Sequence, residues 1–201
     1  MYTYIPEKFN IEDQQQIFDF IENNSFATVI TNVPDKDVFI SHVPVILEKT
    51  DEPWALSFHL ANNNQHCQML KAGGKSIVVF KGPHAYVSPS WYGKKPGVPT
   101  WNYVVAHIEG QVNEMSPDAL VAHVKEQVSH YEPALLGSDI MPNEFVDRLS
   151  GMISGFTLTV DQALCKFKLG QNRPNEDQQS IKQHLQASEC AIDQALAAYM
   201  S

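Results

Sequence analysis

The sequence predicts a mainly β protein, a Greek-key barrel with flanking α-helices on its rim. Three observations predict it. Six or seven runs rich in β-branched and aromatic residues are separated by Pro, Gly, Asn and Asp breakers. One short helical pattern interrupts the early runs, which does not suit the strand–helix alternation of a parallel sheet. No internal repeat occurs, and closing the strands on one another removes the edges an open sheet would expose. A chain of 201 residues, 43% of them hydrophobic, can bury such a core without disulfide staples.

Residues 11–23 read as a helix because Ile11, Ile17, Phe18 and Ile21 fall on one face. A strand follows at 26–31, broken by Asn32, Val33, Pro34 and Asp35, and further strands at 38–47 and 54–60. Asn62, Asn63, Asn64 and Gln65 lead into a short Asn-capped helix near 66–70, closed by Gly73 and Gly74. Residues 76–81 form an unbroken apolar strand. Gly82 and Pro83 are expected to turn the chain into another at 85–88.

After a Pro/Gly/Lys loop at 89–97, residues 100–112 make a longer strand. Ser116 caps a helix with Pro117 in its first turn; Leu120 or Val121, Val124 and Val128 form its apolar side. His123 and His130, seven apart, are assigned to its solvated face. A shorter helix at 143–149 leads into a strand at 153–169, and two helices near 176–187 and 189–199 end the chain. This organisation predicts a barrel domain with rim helices over 1–174 and a helical extension over 175–201 packed on it.

Composition narrows the function. The net charge is −9, and the basic clusters are Lys94 with Lys95, and Lys166, Lys168 and Arg173. That is too little for a duplex DNA footprint and enough for one phosphorylated small molecule. No helix-turn-helix signature is present. No run of eighteen apolar residues occurs, so no membrane span is expected, and the start lacks the basic-then-apolar pattern of a secretory leader. Cys67, Cys165 and Cys190 fit neither a disulfide framework nor a CxxC metal site, which points to reduced thiols and the cytoplasm. His59, His66 and Cys67 match no zinc spacing, so no metal is expected. No Gly-rich phosphate loop, GxSxG elbow or HExxH helix is present.

The most unusual stretch is 80–103. Two of three tryptophans (Trp91, Trp101) and three of seven tyrosines (Tyr86, Tyr92, Tyr103) sit there, beside Ser88, Ser90 and Asn102. Aromatics in a Pro/Gly loop follow neither strand nor helix spacing. They either stack on a flat ligand or a partner, or plug a barrel end.

This stretch resembles the PaiB family of FMN-binding negative transcriptional regulators. The pattern F-x-G-P-x-A-Y-x-S-P-x-W-Y stands at 80–92 and V-P-T-W-N-Y at 98–103. Phe26-Ala27-Thr28, Ser41-His42-Val43-Pro44 and the run Lys166-Phe167-Lys168-Leu169 with Gln171-Asn172-Arg173 agree as well. The likeness spans residues 1 to about 185. Gly170 stands where the family usually has serine, and Asn64 where it often has proline.

The resemblance implies a dimeric split barrel of the FMN-binding type, a homodimer holding FMN between its chains. It implies that Ser41, His42 and Val43 line the ring and ribityl chain, with His59 close by at the following strand-to-helix junction. Asn62, Asn64 and Gln65 would lie near the phosphate, and Lys168, Gln171 and Arg173 would reach across from the second subunit. Trp91, Tyr92, Trp101 and Tyr103 could wall a planar ring, and Ser88 and Asn102 could meet its polar edge. Each of these polar residues has a plain structural alternative as a strand end, cap or surface ion pair. The function implied is a flavin-dependent or flavin-sensing transcriptional regulator acting indirectly. The alternative is a flavin oxidoreductase or a haem protein on the same fold, with His42, His59 or His84 as axial ligand. No residue stands out as a general acid or base, so no catalytic residue is assigned.

Overall fold

A computed structural model describes residues 3–33, 37–49 and 53–200. In chain order the elements are β1 (Asn10–Ile11), α1 (Gln14–Asn23), β2 (Phe26–Asn32), β3 (Val38–Pro44), β4 (Ile46–Glu48), β5 (Ala55–Ala61) and α2 (Gln65–Lys71). Then come β6 (Gly74–Val87), β7 (Thr100–Glu114), α3 (Pro117–Tyr131), α4 (Asn143–Ser150), β8 (Ile153–Lys168), α5 (Asn175–Gln186) and α6 (Ala191–Ala197). The strands hydrogen-bond in the order β3-β2-β6-β7-β8-β5-β4, and β1 pairs with β8. The protein is mainly β with flanking helices, as the sequence predicts.

The chain divides into two compact units. The first comprises Met1–Asn24, Phe80–His107 and Leu164–Ser201; the second comprises Ser25–Val79 and Ile108–Ala163. The long strands β6, β7 and β8 each give one part to each unit.

In the second unit β2 and β3 pair antiparallel from Phe26 opposite Pro44 to Asn32 opposite Val38. The period-two pattern follows: Ala27, Val29 and Thr31 point inward while Phe26 and Asn32 face out. β3 and β4 are separated by Val45 alone. β3 pairs with β2, whereas β4 pairs with β5 (Ile46 opposite Ser57). One stretch of chain therefore belongs to both ends of the strand order, which closes this unit on itself. The expected single strand at 38–47 is split there because Pro44 has no N–H to continue a ladder. The Val45 N–H turns to the Ser25 carbonyl, 2.9 Å away. β5 is buried along nearly its whole length and pairs with β8 from Ala55 opposite Thr159 to Ala61 opposite Ile153.

In the first unit the core is aromatic. Phe20 meets Phe167 edge-on at 5.2 Å, and Phe167 meets Tyr199 at 5.6 Å. Ile181, Leu185 and Leu196 bury the inner sides of α5 and α6. Burial of such a ring is worth a few kcal/mol, so truncating Phe20 to Ala is expected to cost about 3–5 kcal/mol.

Several sequence expectations are corrected. Asp13 caps α1 by accepting from the Gln16 N–H, so the helix starts at Gln14, and Ile11 lies in β1 opposite Cys165. Gly82 and Pro83 do not turn the chain: β6 runs through them. A Cβ at Gly82 would lie 2.5 Å from a Val104 methyl and 2.6 Å from the Phe20 ring, so the glycine serves close packing. Pro83 lies beyond the residues that pair with β2. His123 is not solvated. It is 4% exposed and shares the inner face of α3 with Leu120. In the break placed at 32–35, Pro34 and Asp35 lie outside the described residues.

Candidate functional site

Where β3 leaves β5, the second unit opens a cleft of about 510 Å³. Ile40, Ser41, His42 and Val43 line one side. His59, Leu60, Ala61 and Ile153 line the other, and Asn64 closes the end before α2. Its size lies within the range of small-molecule sites, and its lining mixes apolar side chains with polar groups, the polar surface being the larger share. None of the described lining residues is Lys or Arg.

Two buried hydrogen-bond lines run from this cleft into the core. The first starts at Asn64, whose Oδ1 caps α2 by accepting from the His66 N–H at 2.9 Å. Its Nδ2 donates to Ser41 Oγ at 3.2 Å. Ser41 Oγ lies 2.9 Å from His66 Nδ1, His66 Nε2 lies 2.8 Å from Thr31 Oγ1, and Thr31 Oγ1 lies 2.6 Å from Ser76 Oγ. Phe39 stacks on the imidazole at 5.9 Å. Burial pushes the pKa of His66 down to about 4, so the ring is neutral at neutral pH.

The second line starts at His59, half-buried on the cleft wall. Its Nδ1 lies 3.2 Å from His123 Nε2, and His123 Nδ1 lies 3.1 Å from Ser57 Oγ. Burial lowers both imidazoles, His123 to about 4 with a further push from His59 beside it. Two adjacent rings in such a place cannot both hold a proton cheaply.

Apart from Asn62 and Gln65, the remaining sequence candidates lie in the first unit, around a cluster of cations and rings. The Arg173 guanidinium sits 3.5 Å above the Tyr92 ring and 3.8 Å from Asp177, whose other oxygen accepts from the Gly93 N–H at 2.8 Å. Lys168 Nζ donates to Thr100 Oγ1 at 2.5 Å and to the Trp101 carbonyl at 2.7 Å, and desolvation lowers its pKa. Trp101 is 52% exposed and packs with His84 and Tyr86. Asn102, 1% exposed, has no hydrogen-bond partner among the described residues at either end of its amide.

The placements therefore sort the candidates. Ser41, His42, Val43, His59 and Asn64 share the cleft. His42 reaches outward to Thr28 Oγ1 at 2.9 Å, and Gln65 is exposed at the start of α2. Asn62 does not join them. Its amide donates to the Gly151 carbonyl and accepts from Ser154, and it lines a second cavity of about 400 Å³. Ser88 caps the turn Pro89–Trp91, and Trp91 stacks on His184 at 4.9 Å. Tyr92 is buried, and its hydroxyl donates to the Val98 carbonyl. The Gln171 side chain folds back on the backbone of Leu169 and Phe167. Sequence reasoning does not find Thr31, Ser57, Ser76 or His123 as site residues, and it reaches His66 only as a candidate metal ligand. For His123 the available signal was its i+3 spacing from Leu120. The hydroxyls carry no sequence signal.

A family model described as "Putative FMN-binding domain" matches residues 3–162. The chain is 32% identical over 190 residues to the protease synthase and sporulation protein PAI 2 of Bacillus subtilis, covering 92% of this chain and 90% of that one. Among solved structures, the flavocytochrome Anf3 of Azotobacter vinelandii superposes with a TM-score of 0.61 at 13% identity, covering 87% of this chain and 78% of that one. The FAD and heme binding protein of Mycobacterium smegmatis gives 0.59 at 14% identity, covering 84% and 78%. At such identities these two likenesses establish the fold alone.

Proposed function

The chain belongs to the FMN-binding family of the PaiB type, on the split-barrel fold, and from that premise we propose that its β3–β5 cleft holds FMN. One observation carries the reading: uncharged polar groups from Ser41, His59 and Asn64 converge on a cleft with apolar walls from Ile40, Val43, Leu60 and Ile153. That donor set fits a flat heteroaromatic ring and its ribityl chain. It does not fit a dianionic phosphate, which needs cations. Lys168 and Arg173, held by Thr100, Trp101 and Tyr92, are suited to that task from a second copy of the chain. Trp101 of the same cluster then offers a wall to the ring. The orphaned Asn102 amide is a group in that cluster with hydrogen bonds still to make.

A homodimer is supported by the outer face of the β2–β3 pair. Phe26 is 70% and Ile40 58% exposed there, beside exposed Val38. Apolar side chains grouped on one sheet face mark an interaction surface. Bound FMN supplies two-electron redox chemistry; Ser41, His59 and Asn64 orient it and Leu60 and Ile153 exclude water.

The regulatory role we propose is indirect, a flavin-sensing protein in the cytoplasm. It is supported by the likeness to a protein named for protease synthesis and sporulation, by the net charge of −9 and by three free thiols. Purified protein titrated with FMN is expected to quench flavin fluorescence at micromolar concentration and to sediment as a dimer. Ile40→Lys is expected to weaken both together. Absence of quenching at that concentration sinks the reading. A salt-dependent gel shift with duplex DNA would replace indirect regulation by direct. A second reading, haem binding, is favoured by His59, whose Nδ1 is anchored on His123 while Nε2 has no hydrogen-bond partner among the described residues, as suits an axial ligand. A Soret shift with haemin that is lost in His59→Ala tests it.

A further inference from the structure

Ser41 reaches the cleft with its oxygen already committed on the inner side. Asn64 Nδ2 donates to it, and His66 Nδ1 stands 2.9 Å away. A neutral imidazole has one N–H and one lone pair, so the line Ser41–His66–Thr31–Ser76 has two self-consistent arrangements. In one, Ser76 donates to Thr31, Thr31 donates to Nε2, and Nδ1–H donates to Ser41. Both acceptor sites of Ser41 are then filled, and its O–H must point into the cleft. In the other, Ser41 donates to Nδ1, Nε2–H donates to Thr31, and Thr31 donates to Ser76. Ser41 then offers the cleft only a lone pair. The two arrangements hold the same four protons, and neither buries a charge.

We infer that His66 is a positioning residue that makes Ser41 reversible in the cleft, a donor to a ligand edge in one state and an acceptor from it in the other. The line is built for that use. Ser41, His66, Thr31 and Ser76 are all buried, and each contact is within 2.9 Å. The groups facing the ring are the Ser41 and Thr31 hydroxyls and the Phe39 face, while the Asn64 amide oxygen takes the His66 backbone N–H. The nearest charged side chains along these elements are tied elsewhere: Lys71 to Glu114, and Lys75 to Asp161. A low pKa keeps the ring neutral, which both arrangements need. The matching ligand is a heteroaromatic ring with a nitrogen that accepts in one redox state and carries hydrogen in the other. The inference rests on FMN occupying the cleft.

The test is the imidazole tautomer of His66, read by ¹⁵N spectroscopy on the full chain with oxidised FMN and again after anaerobic reduction by dithionite. The proton is expected on different ring nitrogens in the two states. The same tautomer in both overturns the inference while leaving the cofactor reading intact; a chain that takes up no FMN overturns both. Thr31→Val, near-isosteric, removes the partner of Nε2 and pins the line. It is expected to change the ratio of affinities for oxidised and reduced FMN about tenfold, the worth of one hydrogen bond. An unchanged ratio in a variant whose melting temperature stays near that of the parent counts against the relay.

Discussion

The two units solve recognition in opposite ways. The cleft of the second is lined by uncharged groups whose hydrogen bonds run inward to His66 and His123. The cluster of the first is cationic, and Lys168 and Arg173 are held by a hydroxyl, a carbonyl, a ring and a carboxylate. Buried neutral imidazoles are sensitive to acid because protonation leaves a charge without solvent. Anchored cations are sensitive instead to loss of charge. On the proposed reading, the difference would separate orientation of a ring from capture of a phosphate.

The largest effect that sharpens this contrast is acid destabilisation of the second unit. His66 and His123 fall from 6.5 to about 4 in the folded chain. Between those values the unfolded chain holds protons that the folded chain does not. Stability is therefore full above about pH 6.5 and is lost as the pH falls towards 4. Each ring contributes on the order of 3 kcal/mol at most. Urea midpoints measured from pH 7 to 4.5 should fall, and His123→Gln should flatten part of the slope. Midpoints independent of pH in that window would remove the contrast.

Next in size is the charge in the first unit. Arg173→Ala should weaken FMN binding about 10- to 100-fold by fluorescence titration, the range for a hydrogen bond to a charged group. Arg173→Lys should not restore it, because an ammonium cannot stack flat on Tyr92 as the guanidinium does. Equal affinity for all three proteins would place the phosphate elsewhere.

A smaller effect is expected at Gly170. Its φ of +90° favours glycine, and the Arg173 N–H closes the turn on its carbonyl at 2.9 Å. Gly170→Ser should cost about 1 kcal/mol by thermal melting, from backbone strain alone, since a Cβ there meets nothing closer than 3.7 Å. Smallest is Lys75→Ala. Its pair with Asp161 is exposed and screened, so the melting temperature should stay almost unchanged.

Much of this arrangement was legible in the sequence, and the losses have physical causes. Strand-forming runs located β2, β5 and β8, and the order of motifs brought Ser41, His59 and Asn64 to one site. Gly82-Pro83 misled because a glycine required for close packing looks the same in sequence as one required for a turn. His123 misled because a polar residue on a helix reads as solvated unless its buried partner, Ser57, is known, and that partner is 66 residues away. Asn62 and Asn64 are indistinguishable in the run of asparagines. Only the start of α2 decides which caps the helix and which is consumed by Gly151 and Ser154.

Asn64 spends the two ends of one amide on different tasks: its oxygen holds the first turn of α2, and its nitrogen holds the Ser41 hydroxyl. A pull on that hydroxyl is therefore felt at the first turn of α2, and deuterium uptake at the His66 amide is expected to change when FMN is added.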